Sequence, residues 1–166
     1  ENFRELKAEL EADGHVFSSE TDTEVVAHLV TRELDRGKDP VAAVGAALPH
    51  LHGAFALAFL FQGEGDLMIG ARKGSPLALG HGEGEMFLGS DVAAFIEHTK
   101  QAVELDQDQI VTITPSSHAV MNFDGTPAEG KPFEVTWDAA AAEKGGYDTF
   151  MEKEISEQPH AVADTL

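Results

Sequence analysis

The chain has 166 residues, enough for one ordinary domain with a sizeable core, and its hydrophobic fraction of 42% is too high for disorder driven by composition. Thirty acidic against eleven basic residues give a formal charge of -19, a surface that favours solubility and repels polyanions, so nucleic-acid binding is not expected. The absence of cysteine excludes disulfides, thiolate metal sites and a cysteine nucleophile within these residues. The longest apolar run, Ala54 to Phe61, is far too short to cross a bilayer, and the charged pattern from Glu1 is not that of a signal peptide.

In chain order, Asn2 is placed to cap a helix carrying Phe3, Leu6 and Leu10 at helical spacing, with Glu5 supporting the start and Gly14 the stop. Val16 and Phe17 read as a brief extended segment. Thr21 and Glu24 have the spacing of a capping box, opening a helix through Val25, Val26, Leu29 and Leu34 that ends at Gly37. Asp39-Pro40 is a second cap, followed by Val41, Val44 and Leu48. The continuous apolar run 54–61 then predicts a strand covered on both faces. A turn at 63–66 leads to a strand at 67–71, and shorter strands follow at 77–79 and 86–88.

Ser90 is placed to cap a helix with Val92, Phe95 and Ile96 on its apolar face. Strands at 110–114 and 119–123 precede Asp124-Gly125, a strong turn signal. From about 125 to 146 the glycine, alanine and charge content predicts a connector or peripheral segment. Helical spacing resumes from Thr149 to Glu157, with Met151 and Ile155 one turn apart, and Pro159 is expected to interrupt or end it. There is no repeat. The elements indicate an α+β fold with helices on antiparallel sheet; two sheet layers between helical layers account for the run 54–61, but one covered sheet fits the pattern too.

Among candidate functional residues, Asp22 stands first. A carboxylate in the first turn of a helix is stabilised by neighbouring N–H groups and suits the ammonium group of an amino acid. The plainer reading is that aspartate is simply favourable there. Ser19 and Thr21 carry hydroxyls with no recognisable general base, so capping is the better reading. Arg72-Lys73-Gly74-Ser75-Pro76 reads as a turn with solvated charges and lacks P-loop spacing. Residues 80–84, glycine-rich, read as a hairpin turn. His50 and His52 have no third ligand at a diagnostic spacing, Asp106 and Asp108 lack the rest of an EF-hand loop, and no carboxylate pair is identifiable as a glycosidase site.

The segment Ser19-Glu20-Thr21-Asp22-Thr23-Glu24-Val25, with Ala27-His28-Leu29, resembles the glutamine-binding stretch of the glucosamine-6-phosphate synthases, the glutamine–fructose-6-phosphate aminotransferases. The likeness continues through 53–55, 71–77 and 89–91, and at 147–151, 153–155 and 157–159 it extends to that family's exit toward its sugar-isomerising half. The resemblance implies an N-terminal nucleophile fold, a four-layer αββα sandwich. Residues 1–146 would form part of the glutamine amidotransferase domain and 147–166 the connector. Asp22 would hold the α-amino group of glutamine.

In that family an N-terminal cysteine attacks the glutamine amide, its own amino group is the base, and the ammonia released converts fructose 6-phosphate to glucosamine 6-phosphate. The cysteine and the Asn-Gly pair of the oxyanion hole would lie ahead of Glu1. The chain is therefore expected to start partway into the domain, to carry no catalytic residue, and to be inactive alone. The resemblance further implies a cytoplasmic homodimer with a C-terminal isomerase domain, needing neither cofactor nor metal. A noncatalytic acidic binding or assembly domain on the same scaffold is the rival reading.

Overall fold

The computed structural model describes residues 1–136 and 146–165. Helix α1 (Phe3–Ala12) and helix α2 (Asp22–Asp35) stop where the sequence places glycine. Gly14 and Gly37 take φ of 93° and 85°, and the residue after each reaches back into the last turn: His15 N–H donates to Leu10 O at 2.9 Å and Lys38 N–H to Glu33 O at 3.3 Å. Each pair forms the left-handed cap that satisfies otherwise orphaned carbonyls. Helix α3 (Pro40–Ala47) starts as expected, with Asp39 Oδ1 accepting from Ala42 N–H at 2.9 Å, and runs into a 3-10 turn at Leu48–His50.

The other two expected caps work differently. The Asn2 side chain makes no bond to α1; it clamps the distant loop before the first strand, donating to His50 O at 2.9 Å and accepting from His52 N–H at 3.0 Å. Thr21 occupies the cap position of α2 without a side-chain cap bond, and Glu24 reaches past it to Ser18 and Ser19. Both are corrections to the local reading: a distant loop captures Asn2, and the serines just ahead of the helix capture Glu24 and Thr21.

Among the described residues, nine strands form two sheets. The first has the order β1 (Phe55–Leu60), β2 (Met68–Lys73), β6 (Gln109–Thr114), β7 (Ser117–Asn122), β8 (Pro127–Ala128). The second is β4 (Met86–Gly89), β3 (Ala78–His81), β5 (Gln101–Glu104), β9 (Lys131–Glu134). All paired strands are antiparallel, with registers such as Leu57 opposite Ala71 and Ile69 opposite Thr112. Strands β8 and β9 fall in the segment expected to be a connector. Both are short, and β9 is an edge strand exposed throughout, where Pro132 is tolerated because one side needs no donor.

Alternation along the strands builds three apolar layers. Leu10, Val25, Leu29, Val44 and Leu48 from the helices pack on Ile69, Ala71 and Ile110, the outer face of the first sheet. Val111, Ile113 and Val120 on its inner face meet Leu77, Leu79, Val103 and Leu105 of the second sheet. The far face of the second sheet is covered by Phe95, Ile96 and Val135. There the expected helix is a 3-10 turn, Val92–Ala94, capped by Asp91 and not by Ser90. The order helix, sheet, sheet, helical turn supports the two-sheet alternative over a single covered sheet.

Close approach of these layers depends on two glycines. A Cβ at Gly70 would lie 2.9 Å from both Leu88 Cδ2 and Val111 Cγ1, between the sheets. One at Gly80 would lie 2.6 Å from Phe95 Cδ2. The run 54–61, by contrast, is covered on one face only: Phe55, Leu57 and Phe59 pack under the helices, while Ala56 and Ala58 are exposed and Leu60 is 80% exposed. The sequence expectation fails because β1 is the outermost strand, and the apolar layer of the second sheet lies over β2, β6 and β7.

Helix α4 (Phe150–Thr165) continues through Pro159 instead of stopping there, and presents Met151, Ile155 and Val162 as exposed apolar residues. No helix among the described residues is long and apolar enough to cross a membrane.

Candidate functional site

The site is assembled where the helix layer meets the entry to β1. Asp22 is the first residue of α2, with Glu24 also in the first turn. The positive end of the helix dipole therefore sits behind the Asp22 carboxylate and favours its charge. Asp22 is exposed and lines a cavity of about 90 Å³ shared with Asn2, Thr23, Val26, His52 and Ala54. The clamp from Asn2 to His50 and His52 fixes the far wall. Gly53, with φ of 99°, turns the chain from that wall into β1.

The loop before Asp22 is fastened by a group that the sequence assigned to capping. Glu24 Oε1 accepts from Ser18 N–H at 2.7 Å and Ser18 Oγ at 2.9 Å; Oε2 accepts from Ser19 N–H at 2.7 Å and Ser19 Oγ at 2.5 Å. These donors, the Ser18 backbone N–H first among them, hold the Glu24 carboxyl down to about 2. Ser19 Oγ also lies 2.8 Å from Thr21 Oγ1, so both hydroxyls are engaged in shaping the loop, and neither faces a base suited to nucleophilic attack.

The remaining candidates lie elsewhere. Arg72 is not a solvated turn cation: it is 7% exposed on β2, donates from Nη1 to Leu105 O at 2.5 Å and stands 3.7 Å from Glu104. It joins the end of one sheet to the other. Lys73 is exposed, and Gly74 N–H donates to Gln107 Oε1 at 2.8 Å. Residues 80–84 belong to the β3–β4 hairpin, as expected, with Gly82 N–H bonded to Glu85 O at 3.0 Å. Asp106 pairs with Lys131 at 3.0 Å, and that hydrogen bond is the main cause of its lowered pKa. His50 and His52 serve the site through backbone groups, and nothing brings Asp108 to it.

Sequence reasoning missed two charged features. Glu33, buried on α2, takes Arg36 at 2.6 Å and Lys38 at 2.5 Å, which together lower its pKa, the Lys38 bond most. Arg32 on the same helix reaches Glu9 of α1 at 2.7 Å and thereby ties the two helices together. Helical spacing could have flagged Glu33 and Arg36 as neighbours; the Arg32–Glu9 pair has no local signal.

Paired antiparallel sheets under a helical layer are the arrangement of the N-terminal nucleophile fold. A solved structure of glutamine phosphoribosylpyrophosphate amidotransferase from B. subtilis superposes with a TM-score of 0.62 and 26% identity over 74% of this chain and 27% of that one. Residues 1–97 match the family model described as a glutamine amidotransferase domain. The chain belongs to the glutamine amidotransferase domain family.

Its similar curated relatives are more particular. Glutamine–fructose-6-phosphate aminotransferases (isomerizing) of Corynebacterium diphtheriae and Streptomyces coelicolor are 55% and 54% identical over 100% of this chain, and that of Mycobacterium tuberculosis is 52% identical. The chain spans 27% of the first two and 28% of the third, so it corresponds to about a quarter of each relative's length.

Proposed function

We infer that this chain supplies glutamine recognition to an isomerising glutamine–fructose-6-phosphate aminotransferase, with Asp22 taking the α-ammonium group of glutamine. The observation that carries the reading is the position of Asp22: a solvent-accessible carboxylate on the first turn of α2, at a cavity rim walled by the Asn2-clamped loop. A carboxylate so placed offers a charge-assisted acceptor without a competing cation bonded to it among the described contacts. Identity above 50% along the whole chain to aminotransferases of that name supports the choice of acceptor.

On this reading residues 1–146 belong to the glutamine-handling domain and 147–166 lead toward a sugar isomerase domain. The complete enzyme is a cytoplasmic homodimer needing no cofactor. The chemical step belongs to a cysteine nucleophile and its oxyanion donors. These 166 residues contain no cysteine, so they do not release ammonia by that route unaided.

The test uses the complete gene product. With glutamine and fructose 6-phosphate it should form glucosamine 6-phosphate. Asp22→Asn should raise KM for glutamine by about 10- to 100-fold, the equivalent of one charged hydrogen bond, and leave KM for fructose 6-phosphate unchanged. An unchanged glutamine KM would remove Asp22 from the site. Glutamine hydrolysis without amination of fructose 6-phosphate would reassign the acceptor.

A further inference from the structure

The loop that delivers Asp22 is held from one face of α2 by two residues a turn apart. Glu24 grips Ser18 and Ser19 through four hydrogen bonds. One of its oxygens also lies 3.6 Å from Nε2 of His28, and Nδ1 of His28 lies 3.1 Å from Nδ1 of His15, just upstream of the loop. Phe17 packs its ring on His28 at 4.3 Å between centroids, and Lys7 of α1 lies 5.0 Å from the Phe17 ring centre. The groups facing the pair are thus one carboxylate, one aromatic ring and, behind that ring, one ammonium.

The 3.1 Å contact limits the protons the pair can hold. Two ring nitrogens at hydrogen-bonding distance share one hydrogen, with one donating and the other accepting. The carboxylate at Nε2 of His28 favours a hydrogen there, and in that tautomer Nδ1 of His28 accepts from Nδ1–H of His15. A second charge on the pair places N–H against N–H, so the bond is lost and two like charges meet, with Lys7 nearby.

We propose that Glu24, His28 and His15 form a positioning relay that sets Asp22 for the ammonium group of glutamine, and that double protonation of the histidine pair releases it. These are positioning residues; none touches glutamine. The inference rests on the reading of Asp22 given above. Glutamine binding therefore weakens toward acid pH because the loop loosens.

The complete gene product is assayed with saturating fructose 6-phosphate from about pH 5 to about pH 8, the range in which imidazoles as a class change charge. His15→Leu removes the bond and should raise the glutamine KM by about fivefold at the alkaline end, more than it alters kcat. His15→Asn supplies an amide N–H donor that does not titrate; it should restore that KM and flatten its rise toward acid. The amides of Ser18 and Ser19 provide a readout independent of glutamine. Their hydrogen exchange should quicken by about tenfold in His15→Leu and return toward the parental rate in His15→Asn.

A parental glutamine KM and parental exchange in His15→Leu would overturn the relay, as would an undiminished acid rise in His15→Asn. If exchange responds but glutamine KM is insensitive to Asp22→Asn and to both His15 variants, the relay holds the loop but the loop does not hold the substrate, and it is the Asp22 assignment that fails.

Discussion

At the residue scale, single carboxylates and imidazoles set the acid response. Glu24 and Glu33 both have pKa values below the ordinary 4.5, so the folded chain holds fewer protons than the unfolded one in that window. Their contribution is fully present above about 4.5 and is lost as pH falls through the folded values, about 2 for Glu24. His118 acts higher. Burial first, and His81 second, push its pKa below 6.5, and the two rings meet edge-on at 4.7 Å across the sheets. Stability should therefore begin to fall as pH drops below 6.5, before the carboxylates respond. His118→Gln should remove that first decline in a series of thermal melts while leaving the fall below 4.5; an unchanged profile would contradict the burial argument.

Glycine at position 80 is also a residue-scale matter. The Phe95 ring is rigid and buried, so it cannot yield to a methyl group as a flexible side-chain end would. Gly80→Ala should destabilise by about 1–3 kcal/mol, read as a lower denaturant midpoint with an unchanged slope.

At the element scale, the helix starts show how far local sequence carries. Asp39-Pro40 works as spacing predicts, because its partner Ala42 N–H lies within the same turn. Thr21 and Asn2 have the right residue type and position, but neither caps: Asn2 bonds the distant loop at His50 and His52, and the Thr21 hydroxyl bonds that of Ser19, two residues back. Asp39→Ala should lower stability by about 1 kcal/mol, and Thr21→Ala by clearly less. Equal losses would show that Thr21 caps its helix in solution. Both Gly-terminated helices were legible for a related reason: the left-handed cap is a local conformation that glycine alone adopts cheaply. Pro159 was misleading, since α4 accommodates one missing donor; β5 and β9 were missed because each is short with a polar residue at both ends, and β8 because it is only two residues long.

At the scale of the whole molecule, two features dominate: stacked apolar layers and a large negative charge. Leu10 is fully buried where α1 meets α2, and its truncation to Ala should cost about 2–5 kcal/mol. The charge of -19 repels itself across the surface, so moderate salt should raise the melting midpoint by screening, the opposite of what a fold dependent on exposed ion pairs would show. A midpoint that falls with added sodium chloride would mean that pairs such as Arg32–Glu9 outweigh the net repulsion.

The sequence by itself determined the kinds of element, the positions of three helices, most of the hairpins, and the family, because these depend on local conformational preference and on a motif read in order from Ser19 to Val25. It also singled out Asp22 as a carboxylate at a helix start. Only the tertiary structure decided that Glu24 holds the loop instead of capping, that Arg72 is buried against Leu105, that β1 lies at an edge, and that His15 meets His28. Apart from Glu24, whose serine partners lie five and six residues back, these join groups that no short-range pattern relates. Their partners are chosen by the packing of helices on sheet and of sheet on sheet, and that packing exists only once the chain has closed on itself.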